Sequence, residues 1–236
     1  MEESTTTYLL TLETATEVCS VALYDRETLL GFHEYKGAKM HSRLLVDSID
    51  TLLTKLEIDR KLLSAVAISG GPGSYTGLRV GVSAAKGVCM ALDIPLIAIS
   101  SLQALAAGYQ ALAQQLNAQI IPMLDARRME VWTAIYDADL NEVEAPHARI
   151  LDKNPFKLSK PTIFIGDGVH KATAILKSEH SILLPNRLSS AANFGALAYQ
   201  KYLEKAFEPL IAYEPFYLKP VQASIAKNKL KLQHKK

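Results

Sequence analysis

Two acidic residues stand where an enzyme of the α/β class could use them, one in each half of the chain. Glu13 ends the hydrophobic segment YLLTLE, and Asp125 ends IIPMLD. Carboxylates in such positions can hold a divalent cation or orient a nucleotide, whereas a two-metal nuclease centre needs several clustered carboxylates. No third acid is evident beside these two, so the sequence argues against a nuclease centre.

A glycine-rich stretch at residues 67–87, AISGGPGSYTGLRVGVSAAKG, matches none of the usual catalytic loops. The glycines of GPGSYTG are spaced one residue too widely for a dinucleotide fingerprint, and no lysine follows Gly77 as a P-loop requires. A nucleophile elbow would need glycine where Pro72 stands, two residues before Ser74. The amides of residues 70–74 could still bind an anion at the start of the following helix.

The same stretch predicts a helix with a face of small side chains. Gly77, Gly81 and Ala85 fall at successive i+4 positions, with Ala84 and Val88 beside them. Glycine inside a helix costs about 1 kcal/mol relative to alanine, so this face indicates the close approach of another backbone. That neighbour is either the chain's own sheet or a helix of a second protein, and the pattern leaves both open.

Hydrophobic periodicity indicates the elements that must position these residues. In order, it predicts strands at 8–12, 18–24 and 29–35, a helix at 40–56, a strand at 65–69, a helix at 76–92, a strand at 95–99 and a helix from 100 or 101 to 116. The first three strands form an antiparallel meander. The sequence therefore predicts an α/β fold in which helices pack on a mixed sheet.

The helix predicted at 40–56 carries more apolar surface than one contact with a sheet needs. Its main stripe consists of Leu45, Ile49, Leu52 and Leu56. Val46 and Leu53 lie outside that stripe, which favours an additional contact with a partner.

From residue 118 the pattern of the N-terminus recurs. AQIIPMLDARRMEVWTAIYD aligns with TYLLTLETATEVCSVALYD without a gap, at an offset of 112 residues that places Asp125 on Glu13. The second half continues with a strand at 162–165, the turn GDG at 166–168 and a helix near 190–207. A weak repeat of this kind indicates two duplicated domains, which we assign to residues 1–110 and 111–225, followed by a basic tail at 226–236.

Composition narrows the function classes. The 236 residues carry a net charge of only +2, which gives no general case for nucleic-acid binding, although five lysines lie between Lys227 and Lys236. Two cysteines, Cys19 and Cys89, form no disulfide framework or CxxC motif, and no apolar run is long enough to span a membrane. The N-terminus lacks the pattern of a signal peptide, so we expect a cytoplasmic protein.

Four segments together resemble the TsaB family, also called YeaZ, of tRNA threonylcarbamoyladenosine biosynthesis. They are LLTLETATEVCSVALYD, KMHSRLLVDSID, SGGPGSYTGLRVGVSAAKG and PMLDARRMEVW, and the match extends over residues 8–137 with looser agreement at GDG and YEPFYLKP. The resemblance implies an actin-like fold of the sugar-kinase and Hsp70 type, built from two duplicated ribonuclease H-like domains with mixed sheets.

The family resemblance also implies a largely non-catalytic role. TsaB-like proteins pair with a TsaD-like catalytic subunit through helices of the first domain, and a TsaE-like ATPase joins them. The complex transfers threonylcarbamoyl to N6 of adenosine 37 in tRNAs that read ANN codons, with ATP and a metal held by partner subunits. The resemblance favours the external interpretation of the small-residue face. The expected contact residues, for a partner or for a homodimer of the free chain, are His41, Leu45, Ile49, Leu52, Tyr75, Gly77, Leu78, Gly81, Ala84, Ala85 and Val88.

Kinase-like relatives of this fold grip ATP with Asp-x-Gly-Thr-like turns, from which this chain departs. Its first turn is Glu13-Thr14-Ala15-Thr16, with no glycine for close approach to phosphate, and in the second Arg127 is expected to pair with Asp125. We expect no ATP hydrolysis by the chain alone. A weak nucleotide or anion site stays open at Glu13, Thr14, Gly71, Gly73, Ser74, Asp125 and Arg127.

Metal binding has less support, because His41 has no second histidine at H-x-x-x-H or H-E-x-x-H spacing among the six histidines. The leading hypothesis is a partner subunit that activates a tRNA-modifying transferase. The alternative is a stand-alone ATP-dependent small-molecule kinase or hydrolase of the same fold, which would depend on Glu13 and Asp125.

Overall fold

Two five-stranded mixed sheets form the frame of the protein. The computed structural model describes residues 6–37, 41–152, 156 and 158–218, and of residues 41 and 42 the backbone alone. The first sheet contains β1 (Tyr8–Glu13), β2 (Val18–Asp25), β3 (Thr28–Lys36), β4 (Leu63–Ser69) and β5 (Leu96–Ile99). The second contains β6 (Gln119–Asp125), β7 (Glu130–Tyr136), β8 (Glu142–Ile150), β9 (Thr162–Gly166) and β10 (Ser181–Pro185). The meander predicted at the N-terminus is confirmed, whereas β8 and β10 were not anticipated.

The two sheets have the same topology. The first has the order β3-β2-β1-β4-β5, and the second, read in the corresponding direction, has the order β8-β7-β6-β9-β10. In each sheet the first three strands are antiparallel and the last two run parallel to the first. This repetition confirms the duplicated, actin-like α/β fold.

The register corrects the gapless alignment of the two halves. Glu13 pairs with Ser20 in the first sheet, whereas Asp125 pairs with Val131 rather than Trp132 in the second. The second turn is therefore one residue shorter. Asp125 still corresponds to Glu13, but the residues beyond the turn shift by one position.

Six helices occur within the described ranges. They are α1 (His41–Lys55), α2 (Tyr75–Leu92), α3 (Ser101–Ala107), α4 (Gln110–Leu116), α5 (Thr173–Leu176) and α6 (Gly195–Leu203). The single helix predicted up to residue 116 is divided at Gly108, against which the amide of Asn193 packs. None of the described helices is long and apolar enough to cross a membrane.

Each face of the first sheet is covered by a different part of the chain. On one face, α1 and α2 bury a core that includes Leu10, Leu12 and Val82. The other face is covered by the segment around α6, where Phe194 and Ala198 pack. Because both faces are covered, β1 is buried almost continuously instead of alternating.

The return of the chain to the first sheet depends on buried polar contacts. The Thr11 hydroxyl donates to the Ala191 carbonyl at 2.8 Å, and the Ala191 amide donates to Ser20 Oγ at 2.8 Å. Residues 191–203 thus contact the first sheet, although our division assigns them to the second domain. The boundary near residue 110 stays a prediction, and the predicted basic tail lies outside the described residues.

Candidate functional site

An apolar groove of about 340 Å³ lies between α1 and α2 on the outside of the first sheet. Its walls are mostly aliphatic, with one acid and one arginine. The lining residues are Val46, Ile49, Asp50, Leu53, Arg60, Leu63, Ala84, Gly87, Val88, Ala91 and Leu92. Arg60 donates to Asp50 at 2.9 Å, so these two charges already satisfy each other. The groove therefore offers a neutral apolar surface of the kind that binds another protein.

The main stripe of α1 packs into the chain's own core, although Ile49 also lines the groove, and its contact with a partner stays a prediction. Leu45, Ile49 and Leu52 are at most 7% exposed and belong to the chain's own core. Val46, by contrast, is 63% exposed and lies in the groove wall. The stripe positions α1, and Val46 is a large hydrophobic residue that α1 exposes in the groove wall. The side chain of His41, also predicted as a contact, lies outside the described residues.

The small-residue face of α2 is likewise directed inward. A Cβ added at Gly77 would meet the Thr14 carbonyl, and one added at Gly81 would meet the Thr14 hydroxyl. Leu78 and Ala85 are fully buried. The internal interpretation of this face is therefore the correct one, because the chain's own β1–β2 turn occupies it.

The part of α2 that lines the groove is offset from the predicted face. Ala84 and Val88 are partly exposed there, and their contact with a partner stays a prediction. Gly87 was not predicted, yet a Cβ added to it would meet nothing within 4 Å. The sequence gives no signal that separates Gly87 from the buried glycines of the same helix, because the difference lies in what surrounds each residue.

Residues 207–217 form a strap across the glycine loop, which the sequence analysis did not anticipate. The Phe216 amide donates to the Gly70 carbonyl at 2.8 Å, and Lys86 Nζ donates to the Ile211 carbonyl at 2.9 Å. Tyr217 packs on Tyr75 with ring centroids 5.0 Å apart. The strap thus fixes the start of α2 from outside.

Arg79 lies in the same aromatic cluster. Its guanidinium carbon is 4.4 Å from the centre of the Tyr75 ring, and its Nε donates to the Tyr217 hydroxyl at 3.4 Å. Arg79 is exposed, as expected, but its side chain already has partners within the chain.

Three amides of the glycine loop already have acceptors within the chain. The Gly70 amide donates to Ile99 O at 2.8 Å, the Gly71 amide to Ser101 Oγ at 2.9 Å, and the Ser74 amide to Ala15 O at 2.6 Å. Gly73 packs against Ala15, and Ser74 caps α2 by accepting from the Gly77 amide. These contacts use the Gly70 and Gly71 amides to hold the loop beside β5 and α3, and the Ser74 amide to hold it on the β1–β2 turn, which weighs against the expected anion site.

Glu13 is completely buried. Its Oε1 accepts from the Ala15 amide at 2.6 Å and from the Ser69 hydroxyl at 2.7 Å, while Oε2 has no partner among the described residues. Burial raises the pKa of the Glu13 carboxyl, because the charged form loses its hydration. An enclosed acid with a raised pKa is a poor ligand for Mg²⁺, which prefers charged oxygens and several waters.

Asp125 has the opposite environment and lies at the surface. Its carboxylate forms an ion pair with Lys171 and accepts from the Arg127 amide at 2.6 Å. The expected pairing with the Arg127 side chain is therefore corrected, because Lys171 takes that place.

The nucleotide that the fold family implies does not fit these residues. The first acid is enclosed and has a raised pKa, the second is paired, and three amides of the glycine loop already donate within the chain. In the described part of the chain, no three His, Cys, Asp or Glu residues are grouped as a metal site would require.

Comparison with known proteins gives a consistent result. Residues 25–227 match the family model described as TsaD, tRNA N6-adenosine threonylcarbamoyltransferase. The chain is 31% identical to the tRNA threonylcarbamoyladenosine biosynthesis protein TsaB of Bacillus subtilis, over 67% of this chain and 70% of that protein. It is 28% identical to the TsaB of Escherichia coli, over 89% and 94%.

A solved structure supports the fold independently. YeaZ from Pseudomonas aeruginosa superposes with a TM-score of 0.77 at 24% identity, covering 90% of this chain and 100% of that one. A second Pseudomonas aeruginosa structure, described as similar to peptidase YeaZ, reaches 0.80 at the same identity and coverage.

Proposed function

We propose that this chain, which belongs to the TsaB family of tRNA threonylcarbamoyladenosine biosynthesis proteins, is the non-catalytic subunit that activates a TsaD-type transferase. The family has its role in tRNA threonylcarbamoylation. In this proposal the chain supplies a docking surface. Its partner transfers threonylcarbamoyl to N6 of adenosine 37 in tRNAs reading ANN codons.

The observation that carries the proposal is the open groove between α1 and α2. It is apolar, its two charges neutralise each other, and at Gly87 the α2 wall has open space where a side chain would stand. An exposed apolar groove with few polar groups at its centre is a typical feature of binding sites for other proteins.

We infer that the occupant is the related helix pair of a TsaD-type subunit. The match of residues 25–227 to the TsaD model makes the two proteins relatives in fold, so the partner should have a corresponding pair of helices. Two such pairs can pack face to face with small residues at the contact. In the absence of that partner, a second copy of this chain would occupy the groove and form a homodimer.

The environments of the two acids that end β1 and β6 also support a non-catalytic role for this chain. Glu13 is enclosed among Ala15 and Ser69, and Asp125 is paired with Lys171. These environments weigh against the alternative of a stand-alone kinase or hydrolase, which would need both acids charged and accessible. The ATP and metal requirements of the reaction would then belong to the TsaD-like subunit and a TsaE-like ATPase.

Sedimentation of the chain with and without a TsaD-type subunit tests the proposal. We expect a homodimer alone and a one-to-one complex after mixing, with the homodimer lost. As a matched control, Glu13→Gln and Asp125→Asn should leave both species unchanged. Persistence of the homodimer beside a free TsaD-type subunit would refute the docking role.

A further inference from the structure

The turn between β6 and β7 has an unusual backbone. Arg127 and Arg128 both have positive φ, at 69° and 52°. Hairpin turns with two such residues usually contain asparagine or glycine, because a Cβ is unfavourable in the left-handed region. Strained residues of this kind tend to occur where a side chain has a function. Two consecutive arginines therefore need an explanation other than folding.

The charges of these two arginines are not compensated within the described residues. Both are exposed, and neither side chain has an ion pair or hydrogen bond there. Two neighbouring acids already have partners: Asp125 is paired with Lys171, and Asp167 accepts from the Asp125 amide at 2.8 Å. The turn thus presents two guanidinium groups to solvent.

No long helix of the described ranges packs over this turn, in contrast to the corresponding turn in the first half of the molecule. The corresponding turn of the first half, at Thr14 and Ala15, is buried under Gly73 of the glycine loop and under Gly77 and Gly81 of α2. In the second half a short 3-10 helix at Asp167–Ala172 follows the corresponding strand, in place of an 18-residue helix. The tip of the second turn, at Arg127 and Arg128, is therefore open to a partner.

We propose that Arg127 and Arg128 form a contact site for the phosphate backbone of tRNA. The planar guanidinium donates two parallel hydrogen bonds that match the oxygens of a phosphate. The choice of RNA over an acidic protein rests on the proposed function, since the relatives act in the biosynthesis of a tRNA nucleoside. Such a contact holds the substrate in place and reads no base.

The double variant Arg127→Asn/Arg128→Gly separates binding from folding. Asparagine and glycine fit the positive φ values, so the melting temperature should rise by ~2–4 °C. Binding of a tRNA transcript to the full-length chain, measured by fluorescence anisotropy over a series of salt concentrations, should weaken about tenfold at low salt. The slope of log affinity against log salt should fall by ~1–2, as loss of one or two phosphate contacts requires.

Arg26→Asn/Lys36→Gln is the matched control. It removes the same charge from exposed positions that are already paired with Asp25 and Glu17, and it should leave tRNA binding and its salt slope nearly unchanged. An equal loss of binding in this control would overturn the proposal, because net charge would then explain the effect.

Two further outcomes would also overturn the RNA contact. One is unchanged tRNA binding by the stabilised turn variant. If that variant also lost affinity for the TsaD-type subunit, the two arginines would contact that protein instead of RNA. The other is no binding by the unmodified chain at ~100 µM, the weak end of non-specific affinities. Because the assay contains no partner subunit, failure here is distinct from failure of the subunit role, which sedimentation reports.

Discussion

Gly87 is the position at which docking and folding can be separated. It lies within α2, it lines the groove, and an added Cβ would meet nothing within 4 Å. Glycine inside a helix is about 0.5–1 kcal/mol less stable than alanine, and arginine has nearly the same helix propensity as alanine. Gly87→Ala and Gly87→Arg should therefore both raise the free energy of unfolding by ~0.5–1 kcal/mol in urea denaturation.

The two variants should differ sharply in partner binding. An arginine at residue 87 would place a guanidinium in the apolar groove, where Asp50 is already paired with Arg60. Burying a charge without a partner costs several kcal/mol, and a loss of ~3 kcal/mol corresponds to a Kd raised roughly 150-fold. Titration calorimetry with a TsaD-type subunit should detect this change, while Gly87→Ala should bind within a few-fold of the unmodified chain.

Met90→Arg provides the control for charge on the same helix. Met90 is 62% exposed and does not line the groove, so this variant should bind normally. If Gly87→Arg binds the partner as tightly as Met90→Arg does, the groove is not the docking surface and the reasoning fails.

Three other changes test the internal contacts that the structure assigns. Gly81→Ala should lower the free energy of unfolding by ~1–3 kcal/mol, because its Cβ would meet the Thr14 hydroxyl; a neutral result in urea would contradict the internal role of this face. Glu13→Gln should remove a pH dependence from the free energy of unfolding. Because the pKa of Glu13 is raised, its contribution to the free energy of unfolding is present below the unfolded pKa and is lost as pH rises, by up to ~1.4 kcal/mol per pH unit. Parallel curves of unfolding free energy against pH for the two proteins would refute the raised pKa. Tyr217→Ala should cost ~1 kcal/mol through loss of its contact with Tyr75, and an unchanged urea midpoint would show that the strap is not held there.

The sequence predicted the fold well because hydrophobic periodicity and the internal repeat are local signals. The strands that carry Glu13 and Asp125 end at those acids, as expected. The strands β8 and β10 escaped prediction because they are only partly buried and lack a clear alternating pattern.

The candidate site was harder to predict because small residues do not indicate what approaches them. Gly81 and Gly87 look alike in the sequence, yet one faces the Thr14 hydroxyl and the other faces open space. Contacts between distant segments decide the difference. The same holds for Lys171, whose ion pair with Asp125 joins residues 46 positions apart.

Transfer of threonylcarbamoyl to tRNA by a TsaD-type subunit, supplied with preformed threonylcarbamoyl-adenylate, is the most direct test of the proposed function. Product should form only when this chain is added, and Glu13→Gln and Asp125→Asn should support the same rate as the unmodified chain. Equal product without this chain, or loss of activity in either carboxylate variant, would contradict an activating subunit. The second result would indicate that Glu13 or Asp125 takes part in the reaction.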